Sequence, residues 1–221
     1  NGIQREKHDT PLEQWGNATT NLYGNSSTKL VVDTKNNKKW ITLGGFNLSR
    51  YTLDGRNETI YTPTISPLPN HIIYSMTLDD HDGSLWVGTG AGLARITGTE
   101  WTVFTTTTTN AVLDREPITC MAISGSTVWM GTIRGLVKFD GNEWTRYSPQ
   151  NSALPAPFIR NIAVEANGNV WMGVSNEINL DSIDSESMVG LVKFDGTNWT
   201  IYNNQNTPEL KDNYVNSIAI D

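Results

Sequence analysis

The string VWMGT (Val128 to Thr132) is followed, after two intervening residues, by GLVKFDGNEW (Gly135 to Trp144). The pair decides the fold because both halves recur along the chain. The first half returns as LWVGT (Leu85 to Thr89) and VWMGV (Val170 to Val174), with a degraded copy KWITL at Lys39 to Leu43. The second returns as GLARITGTEW (Gly92 to Trp101) and GLVKFDGTNW (Gly190 to Trp199). Its first copy, NLSRYTLDGRNE (Asn47 to Glu58), has Glu58 in place of the closing Trp. Trp40, Trp86, Trp129 and Trp171 lie 46, 43 and 42 residues apart, a period that marks a repeat architecture.

Working outward from each Trp-containing string, an alternating stretch precedes it: IIYSMTLDD, ITCMAIS, FIRNIAVEA and, last in the chain, YVNSIAID. Each period therefore holds four short β segments, here termed A to D, separated by turn chemistry such as Asp82-Gly83, Asp140-Gly141 and Asn167-Gly168. No stretch has sustained helical periodicity. The expectation is an all-β chain, a β-propeller of four-stranded antiparallel blades. Four complete blades are expected at residues 28–62, 71–105, 117–148 and 157–203, with a lone A strand at 213–221. Residues 1–27 read as an incomplete preceding blade, with Trp15 as its D-strand tryptophan. Such a set is expected to be part of a larger propeller, and its partners then include the remaining blades of a longer chain. Trp86, Trp129 and Trp171 are expected between sheets, and Trp101, Trp144 and Trp199 over the outer blade edge.

The motifs D-x-x-G-x-x-W-x-G-T, G-L-x-x-F-D-G-x-x-W and N-S-x-L-P (Asn151 to Pro155) resemble the two-component regulator propeller repeat. The resemblance covers residues 66–221 well and the first unit weakly. It implies a sensor-type β-propeller of the kind found in the periplasmic region of hybrid two-component regulators, where glycans or other extracellular ligands are detected. Related repeats occur in exported proteins, so a periplasmic or extracellular location is implied. The streptogramin lyase propeller is similar at the D-G-x-x-W level and supplies the alternative reading, a lyase or hydrolase. A protein–protein interaction scaffold is a further alternative.

Charge sets limits. The net charge is −7, with 16 Lys and Arg scattered among 23 Asp and Glu, so no basic surface for nucleic acid is indicated. No apolar run approaches the ~20 residues of a membrane-spanning helix, and no direct membrane insertion is expected. The single cysteine, Cys120, reads as a buried thiol. His8, His71 and His81 have no metal-ligand spacing. Asp79, Asp80, Asp82 and Gly83 resemble part of a calcium loop, but Leu78 and Thr89 stand where acids are needed. No catalytic motif is present, and neither cofactor nor metal is expected. The chain reads as a non-catalytic recognition module for a carbohydrate or protein ligand.

In a propeller the B–C and D–A connections share one face, and loops on a rigid scaffold carry function. The insertion Asn176 to Ser187 lies in a B–C connection and reads either as a specificity loop or as a neutral surface insertion. Aligning the A strands places Tyr74, Thr119, Arg160 and Asn216 at one equivalent position, on that face. His71, Phe158 and Tyr214 stand nearby, and Arg134 caps a B–C hairpin. Aromatic faces and hydrogen-bond donors together suit a polar, sugar-like ligand. Arg146 is expected apart from them, on an outer strand.

Overall fold

The structure is a computed structural model that describes residues 3–7, 10–15, 27–177 and 187–220. Its contacts divide the chain into two compact units, Asn1–Val103 and Phe104–Asp221. The first holds a two-stranded sheet, β1 (Ile3–Lys7) and β2 (Thr10–Trp15), and two four-stranded sheets. Sheet 1 comprises β3 (Ser27–Asp33), β4 (Lys38–Leu43), β5 (Phe46–Thr52) and β6 (Asn57–Tyr61). Sheet 2 comprises β7 (Ile73–Leu78), β8 (Leu85–Thr89), β9 (Gly92–Thr97) and β10 (Glu100–Phe104), whose last residue falls in the second unit. That unit carries sheet 3, with β11 (Ile118–Ser124), β12 (Thr127–Thr132), β13 (Gly135–Phe139) and β14 (Trp144–Tyr147). Sheet 4 has β15 (Phe158–Val164), β16 (Val170–Ser175), β17 (Met188–Phe194) and β18 (Trp199–Tyr202). All four sheets are antiparallel meanders in chain order, the blades of a β-propeller.

One cross-strand pairing recurs in every blade. The B-strand tryptophan faces a C-strand cation: Trp40 opposite Arg50, Trp86 opposite Arg95, Trp129 opposite Lys138 and Trp171 opposite Lys193. Each cation lies over its ring, 5.3 to 6.0 Å from the centroid. A cation–π contact of this kind is worth roughly 0.5–1 kcal/mol where solvent reaches it. In three blades a D-strand tyrosine also packs beside the indole: Tyr61 by Trp40 at 5.9 Å, Tyr147 by Trp129 at 6.3 Å and Tyr202 by Trp171 at 5.5 Å.

The same face then receives the following sheet. Trp129 and Leu136 of sheet 3 form one core with Val170, Met172, Val192 and Phe194 of sheet 4. Phe194 sits edge-on to Trp129 at 6.1 Å and 5.0 Å from Tyr147. In the first unit, Trp40 and Leu48 meet Leu85, Val87, Ala94 and Ile96 in the same way. Two residues after Trp129 on the same face, Gly131 lets the next A strand approach. A Cβ there would collide with Cys120 Sγ and stand 2.7 Å from Ile159 Cγ2. The Trp-x-Gly spacing is thus a bulky filler beside a clearance.

Three expectations need correction. Trp86 and Trp129 are buried, but Trp171 is only half-buried. Its face is the one that in sheet 3 is covered by the next sheet, and in sheet 4 the described cover includes only the segment around Val215, beside Gly173. Its indole N–H donates to Glu165 Oε1 at 2.6 Å. Second, residues 213–220 form no strand ladder. They do run where the next A strand would: Asn161 Nδ2 donates to the Val215 carbonyl at 2.6 Å, as Thr119 Oγ1 in sheet 3 donates to Ile159 O. With no described B strand to pair with, the segment keeps its place without a ladder. Third, Trp144 and Trp199 fold back across the C–D turn, stacking on Phe139 at 4.3 Å and Phe194 at 4.2 Å. Trp101 reaches Tyr61 of the preceding sheet at 5.3 Å, so D-strand tryptophans join the inter-sheet contact as well as the outer edge. In the β1–β2 pair, Trp15 lies opposite Ile3 at the start of β1, whereas Trp144 lies opposite Phe139 at the end of β13.

Trp129→Ala is expected to remove about 3–5 kcal/mol from the second unit, and Trp171→Ala about half of that, because its ring is only partly withdrawn from water. Urea unfolding of the two variants measures both. The Asn169 side-chain amide and the Trp171 indole hold the Glu165 carboxyl below the usual range. A depressed folded-state pKa means a contribution present above the unfolded value and lost as pH falls through the folded one. The Trp171 indole N–H resonance is therefore expected to titrate below the ordinary glutamate midpoint of about 4.3.

Candidate functional site

The A strands share an irregularity that aims side chains out of the sheet. Their register breaks between Ser27 and Lys29, between Ile73 and Ser75, between Ile118 and Cys120, and between Ile159 and Asn161. The skipped residues in sheets 2 to 4 are Tyr74, Thr119 and Arg160. A β-bulge takes its residue out of the two-face alternation and redirects it. Sequence alignment finds the equivalence of these positions but not its cause.

The bulged residues differ in what they do. Tyr74 lies against its own B–C hairpin, with its ring 3.4 Å from where a Cβ on Gly90 would stand. Thr119 is a structural tie, its hydroxyl shared between Gly131 O at 2.9 Å and Ile159 O at 2.6 Å. Arg160 is the centre of a cluster. Its guanidinium lies 4.9 Å from the Phe158 ring and 5.9 Å from the Tyr214 ring, and its Nε donates to Ser175 Oγ at 3.2 Å. Phe158, Arg160 and Tyr214 are thus brought together, and Asn216 follows as an exposed residue. His71 and Tyr74 belong to the first unit. There the exposed His71 ring stacks on Phe46, 5.6 Å away and 12° from parallel. Phe46, half-exposed at a hairpin tip, carries no repeat signal and is not picked out by the sequence.

Arg134 points to a different feature of the second unit, a cavity of about 430 Å³. Ile133 and Arg134 reach it from a B–C hairpin, Ala111 and Asp114 from one D–A loop, and Gln150 and Pro157 from the next. B–C and D–A connections therefore do share a face here. Arg134 pairs with Asp114 at 2.9 Å, both well exposed. Its Nε is also 4.0 Å from Glu116 Oε2. Glu116 is buried, and its Oε1 accepts from Arg146. Arg146 also donates to the Val112 carbonyl and lines the cavity. It does sit on an outer strand, β14, but the D–A loop folds over it, so it belongs to this site rather than apart from it. The insertion Asn176 to Ser187 lies, for residues 178–186, outside the described residues.

The loop between β10 and β11 is held against its own backbone preference. Asn110, Ala111 and Arg115 have φ values of 51°, 64° and 42°, in the left-handed region that a Cβ disfavours. Such conformations cost about 1–3 kcal/mol each and persist where surroundings over-determine them. The buried Glu116–Arg146 pair, with the Val112 carbonyl, is that surrounding. The A–B and C–D turns of the blades are side-chain-capped. Asp79 and Asp82 accept from His81 N and Ser84 N, and Asp82 also from Arg95, so the acids that resemble a calcium loop shape the hairpin. Backbone N–H groups of Glu143 and Asn142 hold the Asp140 carboxyl below its usual range.

Residues 67–91 match the family model described as two component regulator propeller. No curated protein sequence matches the chain significantly. Among solved structures, it is similar to the extracellular domain of the hybrid two component system BT4673 from B. thetaiotaomicron, at 18% identity and a TM-score of 0.59, covering 92% of this chain and 33% of that one. It is also similar to the WD40 repeats of RRP9, at 10% identity and a TM-score of 0.61, over 81% of this chain and 52% of that one. An ancestral GH74 enzyme matches at 16% identity and a TM-score of 0.59, over 86% and 27%. At these identities the likeness is one of fold. The chain spans about a third of the BT4673 domain.

Breaking the buried pair should be costly and non-additive. Glu116→Ala and Arg146→Ala are each expected to destabilise the second unit by about 3–5 kcal/mol, and the double variant by much less than the sum. Arg134→Ala, at an exposed pair, is expected to cost under about 1 kcal/mol. A double-mutant cycle followed by chemical denaturation measures all three.

Proposed function

We propose that the chain is a non-catalytic recognition module of an extracytoplasmic sensor, and that the loop-face cavity of the second unit receives the ligand, a glycan or a protein segment. The observation that carries this reading is the convergence of a cavity, a buried ion pair and three left-handed non-glycine residues on one loop. A rigid blade pair below and a held loop above give a pre-formed concavity, the form in which small ligands are bound. Ile133 and Pro157 offer apolar surface, while Arg134, Gln150 and Asp114 offer donors and acceptors. The likeness to the extracellular domain of a two component system supports the sensing role and the location outside the cytoplasm. The acid lining the cavity, Asp114, is engaged by Arg134, and the buried Glu116 by Arg146, an arrangement that favours positioning over acid–base work.

Titration of the chain with a panel of neutral and acidic oligosaccharides and peptides tests the reading. Arg134→Ala and Gln150→Ala are expected to weaken the ligand at least tenfold, about 1.4 kcal/mol. Arg56→Ala is the control, since Arg56 is exposed on a C–D turn beside Asp54. Equal loss in all three variants, or loss in the control alone, would place recognition elsewhere.

A further inference from the structure

We propose that Glu116, which fastens the loop between β10 and β11, is also the ligand acceptor of the loop-face cavity, and that its Oε2 takes a hydroxyl of a neutral saccharide. The inference rests on the reading that this cavity of the second unit receives a glycan, and adds the residue and the kind of group that meet there.

The two oxygens of this carboxylate stand in different surroundings. The Glu116 side chain is 1% exposed, and its Oε1 accepts from Arg146. Its Oε2 is buried as well and has no hydrogen-bond partner. An acceptor withdrawn from water and left unbonded has lost its hydration without replacement, so a donor brought to it meets little opposition. Arg134 does not fill this place. Its Nε stands 4.0 Å from Oε2, beyond hydrogen-bond reach, while its Nη1 is engaged by Asp114 at 2.9 Å. Arg134 and Arg146 both line the cavity, so Oε2 lies just behind its wall. The Arg134–Asp114 pair is well exposed and weakly held, and a turn of the Arg134 side chain opens the way to Oε2.

The charges around the atom select the donor. Glu116 and Asp114 are already matched by Arg146 and Arg134. An ammonium group would bring a charge with nothing to balance it, and an ionised acid has no proton to give. An alcohol hydroxyl donates to Oε2 and, with its own lone pairs, accepts from Arg134 Nε. An oxygen at the ordinary ~2.8 Å from both atoms spans their 4.0 Å separation with an angle of about 90° at the oxygen. Saccharides carry such hydroxyls in adjacent pairs, and Asp114 and Gln150 on the cavity wall offer acceptors and donors for the second of them. A serine side chain offers one hydroxyl alone.

The test uses the intact chain labelled with ¹³Cδ-glutamate and ¹⁵N-arginine. The probes are the linear tetrasaccharides of α- and β-linked glucose, of xylose and of mannose, each beside its O-methylated counterpart, whose oxygens accept but cannot donate, and a serine-rich peptide. At least one hydroxylated sugar should move the Glu116 Cδ and Arg134 Nε resonances saturably, and its O-methylated form should bind roughly tenfold more weakly or worse. Glu116→Gln keeps the shape and an oxygen for Arg146 but puts an amide NH₂ where Oε2 stands, and should lose affinity by a similar factor. Should that variant fail to fold, as thermal unfolding reveals, the sugar pairs and the Glu116 resonance decide on the parent chain. A sugar that binds without moving Glu116 Cδ, or no better than its O-methylated form, overturns the acceptor, and so does a folded Glu116→Gln variant that binds like the parent. If Arg134→Ala and Gln150→Ala still weaken that sugar, the cavity reading stands while the acceptor falls. A panel in which no neutral sugar binds, with or without binding of the peptide, overturns the proposal. Should a sugar move Glu116 Cδ while Arg134→Ala and Gln150→Ala bind it like the parent, the acceptor stands and the cavity wall assignment falls.

Discussion

The structure depends on one packing constraint: a tryptophan on the second strand of each blade, flanked by side chains of its own sheet, needs further cover to leave water. An indole is too large to be buried by one neighbour, and a blade offers only the residues directly across from it. The cross-strand cation and the D-strand tyrosine supply the flanks in sheets 1, 3 and 4. The following sheet supplies the lid, as Phe194 does for Trp129. Gly131 belongs to the same device, because the lid can come down only where the strand beside it carries no side chain. Trp171 shows the flanks without a full lid, with Lys193 and Tyr202 in place and the ring half-buried.

That rigidity is what makes the loop face usable. The A–B and C–D turns are short and capped, with Asp82, Asp140 and Asp195 each accepting from the backbone just ahead. The loop face does not repeat. Between β10 and β11 it carries a loop with three residues in left-handed conformations, fastened by a buried carboxylate and a partly buried guanidinium. A strained loop can be a binding wall only if something stiffer holds it, and here Arg146 of strand β14 does so through Glu116 and the Val112 carbonyl of the loop. The A-strand bulges serve the same end from below, turning Arg160 toward two rings rather than into the sheet.

Much of this was legible in the residues. The Trp-x-Gly and Gly-Leu-x-x-Phe strings specify strands B and C because both are short, apolar and bounded by glycine turns, and the four sheets follow them closely. The equivalence of Tyr74, Thr119 and Arg160 was legible too, although a bulge has no sequence signature and its role emerged only from the broken register. Side-chain reach was not legible. Arg146 lies on an outer strand by sequence, yet five bonds of side chain carry it under a loop whose path depends on Asn110, Ala111 and Arg115 accepting positive φ. Asn110 tolerates such a conformation, but neither Ala111 nor Arg115 advertises a turn as glycine would. The cluster of Phe158, Arg160 and Tyr214 was anticipated, whereas Arg134 falls into a separate ion-paired cavity. The cation opposite each tryptophan was visible in the repeat as Arg or Lys before an aromatic or aliphatic residue, but its partner could be named only from the strand register.

Hydrogen exchange with and without a bound oligosaccharide tests most directly the claim that stiff blades present recognition on one face. The strand around Trp129 should exchange only on unfolding in either state. Ligand should slow amides in residues 105–117, 133–135 and 148–160 and leave the capped turns at 79–84, 140–143 and 165–169 unchanged. Protection confined to those turns, or spread evenly over both faces, would contradict the account.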